Sequence, residues 1–244
     1  MRLDKLLADS GFGTRSVVRK KVLHGKVTVN GAVIRDASCK VAPGDEVTCY
    51  GEPVEVLSGK TYYYLLLDKP DEVLTAMEDP RLPCVGELIE SRYKNRGVSP
   101  VGRLDYHTTG LLLLTNDGEL SHRLTSPSYN VPKTYRVSWT GGPLTGKDVA
   151  KASEGITLTD TAAPEHLKPC EIILESEDTA RLILREGKTH EVRRIMAHFG
   201  KEVVSLRRIS LGSLSLDESS LPGDIRDLTK DEISALHNDV GILH

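Results

Sequence analysis

The stretch from Gly102 to Gly118, GRLDYHTTGLLLLTNDG, places one acid, Asp105, between Arg103–Leu104 and a Tyr-His-Thr-Thr-Gly turn, just ahead of four leucines. A carboxylate in such a place can serve as a nucleophile, as a base or as a plain structural acceptor. A catalytic role needs partners from elsewhere in the chain. A hydrolytic glycosidase would need a second carboxylate, and no partner acid stands out by motif. Tyr135 in KTYRV and the neighbours Arg193 and Arg194 in GKTHEVRRIMAHFG are the other side chains that could do chemistry. Side chains of helix neighbours point about 100° apart, so only one of the two arginines should reach a given carboxylate. His190 and His198 would be separated by about 12 Å of helical rise, too far for one zinc. HEVRR lacks the second histidine of HExxH, because position 194 is Arg. Cys39, Cys49, Cys84 and Cys170 are scattered with no CxxC pair, so neither a disulfide framework nor a zinc site is expected. No metal is expected.

These residues must be held by surrounding elements. The leucines 111–114 read as a buried strand that keeps Asp105 rigid, and TNDG at 115–118 as a turn with a helix cap. Further strands are expected at 134–140, 171–175 and 180–185, and helices at 118–125, 145–153, 189–199 and 230–237. YYYLLLDKP begins a domain with a buried strand that ends at Pro70, and 85–93 suggests a short helix. Strands outnumber helices without regular alternation, which gives a mixed, largely antiparallel α+β domain. Ahead of it, 2–24 reads as two short helices. Gly11 and Gly25 stop them, and Thr14 or Ser16 caps the second. KVTVNGAVI is a hairpin around Asn30-Gly31, and VAPGDEVTCYG a turn and closing strand. GEPVEVLSGK, from Gly51 to Lys60, is a candidate linker.

The chain has 244 residues, a net charge of -3 and ordinary hydrophobic and charged fractions, 39% and 27%. No apolar run suits a membrane span and the N-terminus is no signal peptide, so a reduced, cytoplasmic compartment is expected. Residues 1–28 carry a local excess of five positive charges and 185–208 of four, while 213–244 has an excess of five negative ones. Two basic patches in a mildly acidic protein suit a polyanion held at two places.

RLDKLLADSGFGTRSVVRKKVLHGKVTVNG resembles the S4 domain, an RNA-binding module, although Thr-Arg-Ser-Val-Val stands where Ser-Arg-x-Glu-Ala is usual. GRLDYHTTGLLLLTNDG resembles the catalytic stretch of the pseudouridine synthases. With SHRLTSPSYNVPKTYRV, LREGKTHEVRRIMAHFG and GDIRDLT, it narrows the resemblance to the bacterial RsuA family. The resemblance implies an S4 (α-L) domain over residues 1–58 and a pseudouridine synthase fold over 59–244. It implies a cofactor-free isomerase that converts a uridine to pseudouridine in 16S ribosomal RNA, of the pseudouridine-516 type, acting as a monomer, off the membrane, on an assembly intermediate. It makes Asp105 the carboxylate that handles the sugar, Tyr135 the stacking tyrosine and acceptor of the C5 proton, and Arg193 the cation that keeps Asp105 ionised. It assigns RNA contacts to Arg15, Arg19, Lys20, Lys26, Arg103, Lys133 and Arg194. His107 departs from the acidic or polar residue common there and is read as an RNA contact or a solvent-facing turn residue. Alternatives are a 23S rRNA enzyme, although Lys-Thr-Tyr stands where that branch more often has Arg-Glu-Tyr, and a non-catalytic S4-type ribosome-binding factor.

Overall fold

Leu3, Leu6 and Leu7 recur at helical spacing and are buried against Val18 and Val22, so the first two helices, Leu3–Asp9 and Arg15–Leu23, pack through their apolar stripes. These and the following elements belong to a computed structural model that describes residues 1–13, 15–54, 61–160 and 163–242. Ser10 caps the first helix, Gly11 follows it at φ +84°, and Gly25 at φ +68° ends the second. Ser16 lies within the second helix, and Thr14, the other expected cap, falls outside the described residues. Strands Val27–Val29 and Ala32–Ile34 form the expected hairpin. Positive φ at both Asn30 and Gly31 matches the twist of paired strands. Val47–Cys49 pairs with the first strand, and a short Glu52–Pro53 strand follows it. That strand occupies the start of the expected linker, whose residues 55–60 lie outside the described ones.

The chain divides into two compact units, Met1–Tyr63 with Ile89–Ser99, and Tyr64–Leu88 with Pro100–His244. The helix expected at 85–93 is two single turns, Val85–Leu88 and Ser91–Lys94. Extended backbone at Glu90 (ψ 145°) separates them.

The larger unit is built on a mixed sheet. Its main strands run in the order Glu171–Leu174, Thr179–Leu184, Lys133–Thr140, Glu202–Leu211, Thr109–Thr115, Tyr64–Lys69, Ile225–Asp227. Neighbours in this order are antiparallel except Glu202–Leu211 beside Thr109–Thr115, which is parallel. Leu111 to Leu114 are all fully buried, so this strand is covered on both faces, as four consecutive leucines require. Asp117 caps the Gly118–Thr125 helix by accepting from the Glu119 and Leu120 amides at 3.1 Å. The Tyr64 hydroxyl donates to the same carboxylate.

The ten-residue strand Glu202–Leu211 was not expected from the sequence. Its middle carries Arg207 and Arg208, which spoil any apolar alternation. Both are consumed inside the fold. Arg207 donates to the fully buried Asp68 at 3.0 Å, and buried Arg208 donates from Nε to Leu111 O at 2.8 Å. Gly110 makes this crossing possible. Its φ is +96°, and a Cβ there would stand 2.3 Å from Arg208 O and 2.9 Å from Arg207 Cγ. Any side chain would push apart the two strands whose junction follows the Asp105 turn.

Candidate active site

The Asp105 turn is held by its carbonyls. Thr75 Oγ1 donates to Leu104 O at 2.7 Å, and Thr108 N donates to Asp105 O at 3.0 Å. Lys69 Nζ donates to Tyr106 O at 3.2 Å and Thr108 O at 2.9 Å, and Arg193 Nη2 donates to His107 O at 3.3 Å. Every carbonyl from Leu104 to Thr108 therefore has a donor, two of which are cationic. Lys69 is fully buried, and burial lowers its pKa to about 8 against the opposing pull of Asp71 and Asp105. A loop with all its carbonyls engaged is rigid, which is what a reacting side chain at its apex needs.

Asp105 points into a cavity of about 370 Å³ lined by Arg103, Tyr135, Leu184, His190 and Leu206 among others. Tyr135 reaches it because alternation along Lys133–Thr140 puts Lys133, Tyr135 and Val137 on one face. Leu182 lies opposite Tyr135 on one side and Arg208 on the other. The far wall comes from the loop before helix Glu191–His198. Val192, Ile195 and Met196 anchor that helix in a core with Val137, Leu182, Leu184 and Leu206. It starts at 191, two residues later than expected, because His190 adopts the left-handed conformation at φ 51°. His190 Nε2 stands 3.7 Å from Asp105 Oδ1.

The structure thus places Asp105 and Tyr135 on one cavity and directs Arg193 away from the carboxylate it was expected to neutralise. Its guanidinium donates to His107 O and, at 3.4 Å, to Val203 O. It makes no ion pair with Asp105 within 4 Å. The physical reason is the turn itself: its His107 carbonyl faces the helix and takes the donor. Arg193 therefore supports Asp105 through the backbone. His107 is exposed, with Nδ1 3.1 Å from Asp71 Oδ1.

Among the expected RNA contacts, Arg15, Arg19, Lys20, Lys26 and Arg103 are exposed. Arg2, Arg15 and Arg19 converge on the fully buried Asp4, at 3.0, 4.0 and 3.1 Å. The hydrogen bond from Arg2 is the main cause that holds the Asp4 carboxyl well below the usual range. Two others are placed elsewhere. Lys133 is on the inward face, buried, with Nζ donating to Val131 O, and burial lowers its pKa to about 8. Arg194 is tied to Asp160 and Glu165, whose hydrogen bonds raise its pKa. Sequence reasoning missed Lys69, His190 and Glu191 as parts of the site. Lys69 sits in the strand-ending DKP, and His190 stands out in the sequence only as a possible metal ligand. Among the described residues no cluster of three His, Cys, Asp or Glu could hold a metal, and no helix is long and apolar enough to cross a membrane.

Comparison with known proteins agrees with this architecture. The profile described as S4 domain matches residues 1–47, and the one described as RNA pseudouridylate synthase matches residues 63–198. An uncharacterized RNA pseudouridine synthase of Bacillus subtilis, YtzG, is 39% identical over 242 residues, 97% of this chain and 98% of its own. The ribosomal small subunit pseudouridine synthase A of Vibrio parahaemolyticus is 37% identical, covering 98% of this chain and all of its own. A solved structure described as a pseudouridylate synthase is 34% identical, with TM-score 0.67, covering 97% of this chain and 99% of that one. An S4 module joined to an α+β isomerase domain defines an RNA-modifying enzyme. The chain belongs to the RNA pseudouridylate synthase family.

Proposed function

We propose that the protein converts one uridine of 16S ribosomal RNA to pseudouridine, before the small subunit is fully assembled. The reading is carried by a cavity lined by both Asp105 and Tyr135, in a chain whose full-length relatives include small-subunit enzymes. The cavity's volume lies within the range of small-ligand sites. The reaction breaks the C1′–N1 bond, turns the base and joins C5 to C1′. Asp105 handles the sugar, by attack on C1′ or by removal of the C2′ proton. The Tyr135 ring takes the place of the stacking that the flipped base loses, and its hydroxyl accepts the C5 proton, directly or through water. Arg193 and Lys69 fix the Asp105 turn from two sides. No cofactor is called for. The enzyme works as a monomer in the cytoplasm, off the membrane.

Unstacking costs a few kcal/mol and demands an exposed or weakly paired strand, which a finished ribosome seldom offers. The test is to map pseudouridines in ribosomal RNA from cells with and without the protein. Purified protein is also offered free 16S RNA, free 23S RNA, an early small-subunit particle and mature subunits. One 16S uridine is expected to depend on the protein, at position 516 by the resemblance noted above. Modification confined to 23S RNA would overturn the substrate, and equal activity on mature subunits would overturn the timing.

In the S4 unit, Arg15 and Arg19 are the phosphate contacts, held in place by Asp4. Replacing both with Ala is expected to weaken binding of any RNA sequence and to reduce the slope of log K against log salt by about one to two. A filter-binding titration across salt concentrations reads this directly. An unchanged slope would remove the pair from the interface.

A further inference from the structure

Two hairpin turns of the N-terminal unit share a backbone conformation and differ in their first residue. Asn30-Gly31 joins Val29 to Ala32 with φ 49° and 78°. Tyr50-Gly51 joins Cys49 to Glu52 with φ 55° and 80°. Asn suits such a turn because it tolerates the left-handed conformation, whereas a bulky side chain there is strained. No burial offsets the strain. Tyr50 is 62% exposed and lies outside the core formed by Leu3, Val18 and Val27. Its neighbours are cationic. Lys21 Nζ stands 5.4 Å and Lys26 Nζ 6.0 Å from the ring centroid, and Tyr50 N donates to Lys26 O at 2.8 Å. Lys21 Nζ also donates to Phe12 O at 3.0 Å. Among the described residues neither lysine has a carboxylate partner within 4 Å.

We propose that Tyr50 is a stacking platform for an unpaired base of an RNA strand, with Lys21 and Lys26 taking the phosphates beside that base. This rests on the S4 unit being an RNA-binding module. Strain kept at an exposed residue that the fold does not need points to a contact outside the chain. A single strand is met well by an aromatic face with ammonium groups close to it: the ring stacks on any base, and the charges follow the backbone. Cation–π contacts are weak at exposed sites, so the ammoniums leave the ring for phosphate as a base takes their place. A paired strand has its bases already stacked and offers the ring nothing. The patch is separate from the Arg15–Arg19 contact. Lys21 lies two residues past Arg19, about 200° round the helix, while Asp4 holds Arg19 at 3.1 Å.

The rival reading gives the ring to the fold, as a cover for the stems of the two lysines. The readings differ in what Asn at position 50 does. Asn is a residue that this turn prefers, so it relieves the backbone and removes the ring together. A ring that serves RNA then leaves stability intact and takes affinity with it. A ring that serves the fold takes stability instead.

The test uses the full chain and a labelled oligoadenylate of about twelve nucleotides, read by fluorescence anisotropy across salt concentrations. The probe contains no uridine, so its binding does not depend on which ribosomal RNA is modified. Tyr50→Leu is expected to weaken binding at least about fivefold with the slope of log K against log salt unchanged, because a base contact is lost and no phosphate contact. Tyr50→Phe keeps the ring and is expected to bind within about twofold of wild type. Lys21→Gln combined with Lys26→Gln is expected to lower the slope by about 0.7 for each phosphate released. Tyr50→Asn is expected to bind as weakly as Tyr50→Leu and to melt no lower than wild type. On a fully paired RNA duplex of the same length, Tyr50→Leu and wild type are expected to bind alike. The proposal is overturned by wild-type affinity in Tyr50→Leu, by an equal loss on the duplex, by a Tyr50→Asn protein that melts several degrees lower, or by a wild type that does not bind the oligoadenylate. A wild type that forms no pseudouridine on any RNA instead overturns the proposed function, and the binding comparison still decides the role of Tyr50.

Discussion

Replacing Asp105 with Asn is expected to lower pseudouridine formation by roughly three or more powers of ten while leaving RNA affinity within about twofold. The asymmetry follows from where the interactions lie. The turn that carries Asp105 is fixed through its backbone carbonyls by Thr75, Lys69 and Arg193. An amide of the same shape leaves that scaffold untouched. What disappears is the carboxylate that the proposed mechanism uses to attack C1′ or take the C2′ proton. Affinity resides in many Lys and Arg contacts to phosphate and scarcely registers one change inside the cavity. Single-turnover assays on 16S RNA, beside filter binding on the same RNA, separate the two. Turnover above a tenth of wild type would remove Asp105 from the chemical step.

The same backbone scaffold explains what the sequence could and could not disclose. Local features were legible. Asn30-Gly31 dictates a hairpin because both positions need positive φ, and four leucines in a row dictate a strand buried on both faces. Tyr135 and Asp105 were legible through their motifs, and alternation along Lys133–Thr140 brings the tyrosine to the cavity. Features that depend on distant partners were not. The strand Glu202–Leu211 reads as a charged stretch until Asp68, 139 positions away, is seen to take Arg207. A count of charges over 185–208 suggests a basic surface. In the fold, Arg194 and Arg207 pair with acids and Arg208 meets a carbonyl, so the stretch offers far less free charge than it contains.

Arg193 and Lys133 carry the same lesson at the site. Helix geometry selects one arginine of two, but its partner depends on which acceptors the opposing turn leaves open. That turn presents His107 O. Lys133 shares a face with Tyr135, and the property that brings the tyrosine inward also buries the lysine. The resemblance assigns it to RNA, whereas its position in the strand assigns it to the interior.

Tyr135→Phe is expected to separate two events that wild type joins. The ring is half-buried against the core that contains Val137, Leu182 and Leu206, so a phenyl group keeps its place and its stacking face. The hydroxyl is lost, and with it the acceptor for the proton at C5. The Phe variant should bind RNA normally, flip the target and detach the base, because those steps use the aromatic face and Asp105. It should then stall before rearomatisation. General-base contributions are typically two to four powers of ten, so release of tritium from uridine labelled at C5 is expected to fall at least about a hundredfold. Asp105→Asn would abolish tritium release by blocking the earlier step, so the pair distinguishes a failure to start from a failure to finish. Tyr135→Leu, which loses ring and hydroxyl together, should weaken capture of the flipped base as well, by about 1–3 kcal/mol of stacking. Normal tritium release from the Phe variant would take the proton away from Tyr135 and leave it only the role of a stacking platform.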